Sequence, residues 1–152
     1  MAREFCLEIS DKTVSMAAEA QLIKIQSILL DIGSHIATPR TKAPQKQLDR
    51  LSNFDTNLTK ELETWIDTYD EELPPLKNFI LPSGGKFAST VHMCRSICRR
   101  TERSLQPLLQ SKDLDAGVCI YVNRLSDFLF TLGRYGALKE GKVETIYKKP
   151  RA

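Results

Sequence analysis

The chain has 152 residues, 41% of them apolar and 27% charged, enough for one domain with a proper core and too little for two. Its 22 basic and 19 acidic side chains leave a net charge of +3, too small an excess to name nucleic acid as a partner. That apolar content argues against disorder as the main state, and no run approaches the ~20 apolar residues of a bilayer-crossing helix.

The four cysteines, Cys6, Cys94, Cys98 and Cys119, follow no secretory signal and lack the spacing of a small disulfide scaffold. Free, mostly buried thiols in a reducing compartment are expected. Met1-Ala-Arg-Glu-Phe5 is not read as a transit peptide.

Good helix formers dominate between a few clusters of Pro and Gly, which favours helix over strand. The first predicted helix runs from about Ser15 to Ile36, where Leu22, Ile25, Ile28, Leu29 and Ile32 recur at three- and four-residue intervals. The second runs from about Gln45 to Leu73, striped by Leu48, Leu51, Leu58, Leu62, Trp65, Ile66 and Tyr69 and stopped by Pro74-Pro75. Phe79-Ile-Leu-Pro-Ser-Gly-Gly-Lys86 reads as a strand-like run and a glycine loop feeding a helix. A third helix is predicted from Ser89 to Leu105, ended or bent by Pro107. The fourth starts after Asp113 or Asp115 as N-cap and ends at Lys139, before Gly141. Gly117, Gly133 and Gly136 inside it imply close helix approach or a ligand-facing position. Four such elements with short connections predict an all-α, antiparallel helical bundle, a single domain over residues 1–152.

In the third helix, Arg95, Arg99 and Glu102 fall on one narrow face, with Val91, Cys94, Cys98, Thr101 and Leu105 on a less polar one. Stacked guanidiniums suit polyphosphate, since their planar forks give bidentate contacts and stay charged. The same pattern also describes a solvated face laced by weak ion pairs. In the fourth helix Asn123, Asp127, Phe130 and Arg134 share a face. Asn123 either finds partners in the core or points at a ligand, and Asp127 opposite an arginine of the third helix would need no further function. The glycine loop has neither the G-x-x-x-x-G-K-S/T nor the G-x-G-x-x-G spacing. His35 and His92 are read as core or surface residues, and no metal set, Ser-His-Asp order or carboxylate pair stands out.

Phe79–Lys86, Cys94-Arg-Ser-Ile-Cys-Arg-Arg-Thr-Glu-Arg103 and Tyr121-Val-Asn-Arg-Leu-Ser-Asp-Phe-Leu-Phe-Thr-Leu-Gly-Arg134, in this order, resemble the PduO-type ATP:cob(I)alamin adenosyltransferases. Gln26–Ser34 and Leu62–Asp67 match as well, and Lys139–Lys149 looks like the animal mitochondrial branch. The resemblance implies a five-helix bundle, its first helix truncated here, assembled as a homotrimer with ATP and corrinoid bound between subunits. It implies transfer of the 5′-deoxyadenosyl group of ATP to the cobalt of cob(I)alamin, with release of triphosphate. Mg²⁺ is expected with ATP, a cobalamin-dependent mutase is a possible recipient of the product, and location in the mitochondrial matrix follows from the branch.

By the same resemblance, Phe79 occupies the lower face of the corrin and Arg95 positions the corrinoid pocket, together forming the catalytic pair. Arg99, Glu102 and Asn123 contact ATP, Asn123 from the adjacent subunit, while Arg124 and Asp127 hold their helix in register. Cob(I)alamin is itself the nucleophile, which agrees with finding no nucleophilic side chain. One departure stands out. The family begins with a Thr/Lys/Gly-rich phosphate loop and a helix bearing a Thr-Asp-Glu-Leu-type stretch, whereas Glu4–Ser10 resembles only the tail of that helix. The acidic partner of Arg95 is then missing and ATP binding is expected to be weak. That pattern implies a truncated gene model or isoform, or a bundle that binds corrinoid or subunits without catalysis. A nucleic-acid binder using the Arg95–Arg103 patch is the third reading.

Overall fold

Met1 precedes a short helix, α1 (Ala2–Cys6), and Asp11 then opens α2 (Lys12–Ala37) by accepting from the backbone N–H of Thr13 and Val14 at 3.0 and 3.2 Å. The computed structural model describes residues 1–150. After α2 come α3 (Gln45–Leu48), α4 (Asn57–Asp70), α5 (Gly85–Gln110) and α6 (Ala116–Lys139). Asp115, one of the two expected caps, starts α6 by accepting from the Gly117 N–H at 2.8 Å.

The all-α bundle is as expected, and several boundaries differ: α2 starts at Lys12, three residues before the predicted start, and α4 ends at Asp70, three before the predicted end. The predicted Gln45–Leu73 helix is two helices separated by irregular backbone. Asp115 accepts from the Phe54 N–H at 3.4 Å, Arg40 donates to Asn53 at 3.3 Å, and Asp55 accepts from the Asn57 N–H at 2.9 Å. The two aspartates satisfy backbone N–H groups of this segment locally, and buried Phe54 inserts between His35 and Tyr121. The third predicted helix starts four residues earlier, at Gly85, because Gly84 turns at φ +91. It also continues past Pro107, whose missing N–H costs one bond with a single turn left to run.

α6 is the central helix, flanked by α5 and α4, and every residue from Thr131 to Ala137 is buried. Tyr121, Phe87 and Phe128 are fully covered; each phenylalanine contributes about 1.5–3 kcal/mol by leaving water, while the unpartnered buried Tyr121 hydroxyl offsets part of that residue's gain. Two of the interior glycines serve close approach. A Cβ at Gly133 would meet His92 at 3.0 Å, and one at Gly136 would enter the Phe87 ring. These contacts and the Glu102–Asn123 pair set the antiparallel register of α5 on α6.

Beyond α6 the chain turns at Gly141, with φ +62, and runs back along the connector between α4 and α5. Ile146 pairs antiparallel with Ile80, the Leu81 N–H donates to Thr145 O at 2.8 Å, and the Tyr147 N–H donates to Phe79 O at 2.8 Å.

Candidate functional site

The exposed side of the α5–α6 pair collects most of the predicted residues. Arg99 is exposed, and one turn along α5 the half-buried Glu102 carboxylate accepts from the Asn123 amide of α6 at 2.8 Å. Asn123 thus has a partner on the surface instead of in the core, and it joins Glu102 of its own chain, where the resemblance implied an asparagine lent by the adjacent subunit. One turn before Arg99, the Arg95 guanidinium lies 5.0 Å from the Phe130 ring centroid, a cation–π contact. Burial, then the neighbouring Arg99 charge, hold the Arg95 pKa below its ordinary value, while Asp127 opposes them; a guanidinium still stays charged. The Arg95 Nε is buried without a hydrogen-bond partner.

Asp127 does not pair with an arginine of α5, contrary to that sequence reading. It accepts from Arg124 of its own helix at 3.0 Å, and Arg124 also reaches Glu63 of α4 at 3.2 Å. The i,i+3 spacing brings Arg124 to Asp127 first, and the Arg124–Glu63 contact ties α6 to α4. Arg134, placed by pattern on the same face as Asn123, is buried instead, because the second half of α6 is enclosed on all sides.

Phe79 stands apart from these residues. Its ring is 84% exposed and lies just before the start of α5, whereas Arg99 is fourteen positions beyond Gly85. At 1.5 Å per residue that is on the order of 20 Å along the helix. Within one chain the structure therefore brings Arg95, Arg99, Glu102 and Asn123 onto one face and leaves Phe79 near its far end.

His35 is buried against Phe54, and His92 against Gly133 and Phe130; burial lowers the pKa of both. Cys6, Cys98 and Cys119 are buried free thiols and Cys94 is half-buried; burial pushes Cys6 and Cys98 up to about 11, so neither is an activated nucleophile. Among the described residues no three His, Cys, Asp or Glu side chains gather as a metal site, and no helix is long and apolar enough to cross a membrane.

Two features escaped sequence reasoning. A cavity of about 330 Å³ opens between α2, α5 and α6, lined by Leu22, Ile25, Leu29, Ile97 and Leu125 together with Ala2 and Arg3 of α1. Leu29, expected in the core, is 43% exposed because it borders this groove. The second feature is the tail after Gly141, whose pairing with the Phe79 segment involves too few residues to show as a strand pattern.

Comparison with known proteins is consistent across the chain. The family described as Cobalamin adenosyltransferase matches residues 1–136. The chain is 51% identical over 145 residues to the corrinoid adenosyltransferase MMAB of Mus musculus, covering 95% of this chain and 60% of that protein. It is 50% identical over 146 residues to the Homo sapiens protein of the same name, covering 95% and 57%. A Bacillus subtilis corrinoid adenosyltransferase is 37% identical over 130 residues, covering 86% and 64%. The chain thus spans about three fifths of the length of these curated relatives. A variant of the PduO-type ATP:corrinoid adenosyltransferase from Lactobacillus reuteri, complexed with cobalamin and ATP, superposes with a TM-score of 0.81 at 31% identity, covering 97% of this chain and 79% of that one.

Proposed function

Since the chain belongs to the cobalamin adenosyltransferase family, on its animal side, we propose that it transfers the 5′-deoxyadenosyl group of ATP to the cobalt of cob(I)alamin. In that reaction the cobalt–carbon bond forms as the C5′–O bond breaks, and the bonding electrons leave with triphosphate. The observation that carries the reading is the family match over residues 1–136, which spans every predicted site residue.

The cobalt supplies the nucleophile, so the protein's task is to position two substrates and stabilise charge on the leaving group. Arg99, exposed and one turn from the Glu102–Asn123 pair, is assigned to phosphate oxygens. Glu102 holds the Asn123 amide, and together they are assigned to orienting the nucleotide. Arg95, kept against Phe130, is assigned to the corrinoid pocket. Exposed Phe79 is assigned to the lower face of the corrin, where an apolar ring keeps water and imidazole from coordinating. Arg124 and Asp127 hold α6 in register through their mutual contact and Glu63. The divalent ion expected with ATP would be carried by phosphate oxygens, given that no protein cage gathers among the described residues.

The separation of Phe79 from Arg99 within one chain supports a site completed between copies, read here as a homotrimer. Residues 1–152 are read as one domain. Location in the mitochondrial matrix and delivery to a cobalamin-dependent mutase complete the proposal, as the resemblance of Lys139–Lys149 to the animal branch implies.

A single-turnover assay of the full chain with ATP and prereduced cobalamin tests the activity, with mass measurement by light scattering for the assembly. Adenosylcobalamin formation supports the reading. A corrin spectrum perturbed without turnover identifies a non-catalytic corrinoid-binding bundle instead, and an unperturbed spectrum rejects both.

A further inference from the structure

Arg134 is 6% exposed, and a guanidinium so deeply placed needs partners. Its Nη2 donates to Pro74 O at 2.8 Å, and its Nε lies 3.4 Å from Glu144 Oε1, an ion pair without hydrogen-bond geometry in which both atoms are buried and have no other partner. These two partners belong to the two segments that flank Phe79. Pro74 lies early in the connector from α4 to α5, and Glu144 lies in the tail that pairs with it.

The next residues of the tail reach the Phe79 segment directly. The Thr145 N–H donates to Ser83 Oγ at 2.8 Å, Thr145 O accepts from the Leu81 N–H, and the Tyr147 N–H donates to the carbonyl of Phe79 itself. Little else directs the ring, since its side chain is 84% exposed. An isolated bridge of this length is marginal in water, so its persistence depends on what anchors it.

We infer that Arg134 and Glu144 are positioning residues for Phe79, acting through the C-terminal tail. The inference rests on the reading of Phe79 as the corrin-facing aromatic. Losing the anchor leaves the helices in place and lets the ring sample directions that do not cover the corrin. Glu144 is the better target for substitution, being near the surface, whereas Arg134 is embedded in the core.

The test compares the full-length chain with Glu144→Ala and Glu144→Asp. Hydrogen exchange without ligand is expected to accelerate by at least about tenfold at the Leu81 and Tyr147 amides in Glu144→Ala, with the amides of Val122 and Leu129 unchanged. Glu144→Asp, which keeps the charge, is expected to recover part of the protection. Cob(II)alamin titration in the presence of ATP is expected to show weaker binding in Glu144→Ala, and no further loss when that change is added to Phe79→Ala. Unchanged exchange at Leu81 and Tyr147 overturns the anchor. Additive binding losses in the double variant overturn its action through Phe79. A wild-type chain that binds no cobalamin removes the functional reading and with it the purpose given to the anchor, while the exchange result still decides whether the anchor exists.

Discussion

Asn123 of α6 donates its side-chain amide to the Glu102 carboxylate of α5 across 2.8 Å, at the exposed edge of the helix pair. A hydrogen bond in that setting adds about 0.5–1.5 kcal/mol to stability, so it is too weak to be the reason for the fold. Asn123→Ala is therefore expected to shift the urea midpoint little while weakening ATP binding clearly in a calorimetric titration. A large loss of stability with unchanged ATP binding would make the pair a helix staple and no more.

Arg99 and Arg124 separate a ligand-facing arginine from a structural one. Arg99 is exposed, whereas Arg124 is committed to Glu63 and Asp127. A charge-assisted hydrogen bond to phosphate contributes about 1.5–3 kcal/mol, or roughly 10- to 100-fold in affinity. Arg99→Ala is expected to cost that much in ATP affinity and Arg124→Ala much less. Equal losses would show that the roles are misassigned.

For Phe79 the two kinds of effect should divide cleanly. With so exposed a ring, Phe79→Ala should leave stability within about 0.5 kcal/mol of the wild type. The rate with cob(II)alamin plus a reductant should fall more than the rate with prereduced cobalamin, because only the former depends on excluding an axial ligand. Parallel losses in the two assays would sink the assignment.

Gly136→Ala is a prediction about packing. Its new methyl group would enter the buried Phe87 ring, and overpacking of this kind costs about 1–3 kcal/mol. Denaturant unfolding followed by circular dichroism measures it, and a wild-type midpoint would mean that α5 and α6 separate more easily than their contacts suggest.

Acid should destabilise the chain in two stages. Burial lowers the pKa of His35 and His92, so the folded state binds fewer protons than the unfolded one, and stability is lost as pH falls below about 6.5. Burial tends to raise Asp115, but the Gly117 and Phe54 amides and Arg40 outweigh it and hold the carboxyl low; Thr41 and then Ser111 lower Asp113. Depressed carboxyls stabilise above their unfolded value, near 4, and that contribution disappears as pH falls through the folded value. Urea midpoints at about pH 7.5, 5.5 and 3.5 should therefore decline stepwise. Equal midpoints at the two higher values would contradict the burial of neutral imidazoles.

The helices were legible wherever one face is apolar over several turns. Leu22, Ile25, Ile28 and Ile32 lie buried along α2 as their spacing requires, and Asp115 caps α6 as its position suggested. Periodicity failed where side chains satisfy the backbone better than a helix would, as Asp55 and Asp115 do around Phe54. The arginine stripe of α5 was visible at helical spacing, and so was its neighbour Glu102. The surface placement of Asn123 and the burial of Arg134 were not, because a helical wheel gives no sign of which neighbours enclose each end of α6. The tail was illegible for a different reason: its bonds are made by backbone groups, which every residue carries.

The trough bordered by Leu29 and Ile97 has a practical side for anyone measuring melting curves. An oily channel open to water gives environment-sensitive fluorophores a place to lodge on native protein. Dye-based thermal scans of this chain should start bright and understate its unfolding, so that calorimetry or ellipticity is the sounder gauge of every variant described above.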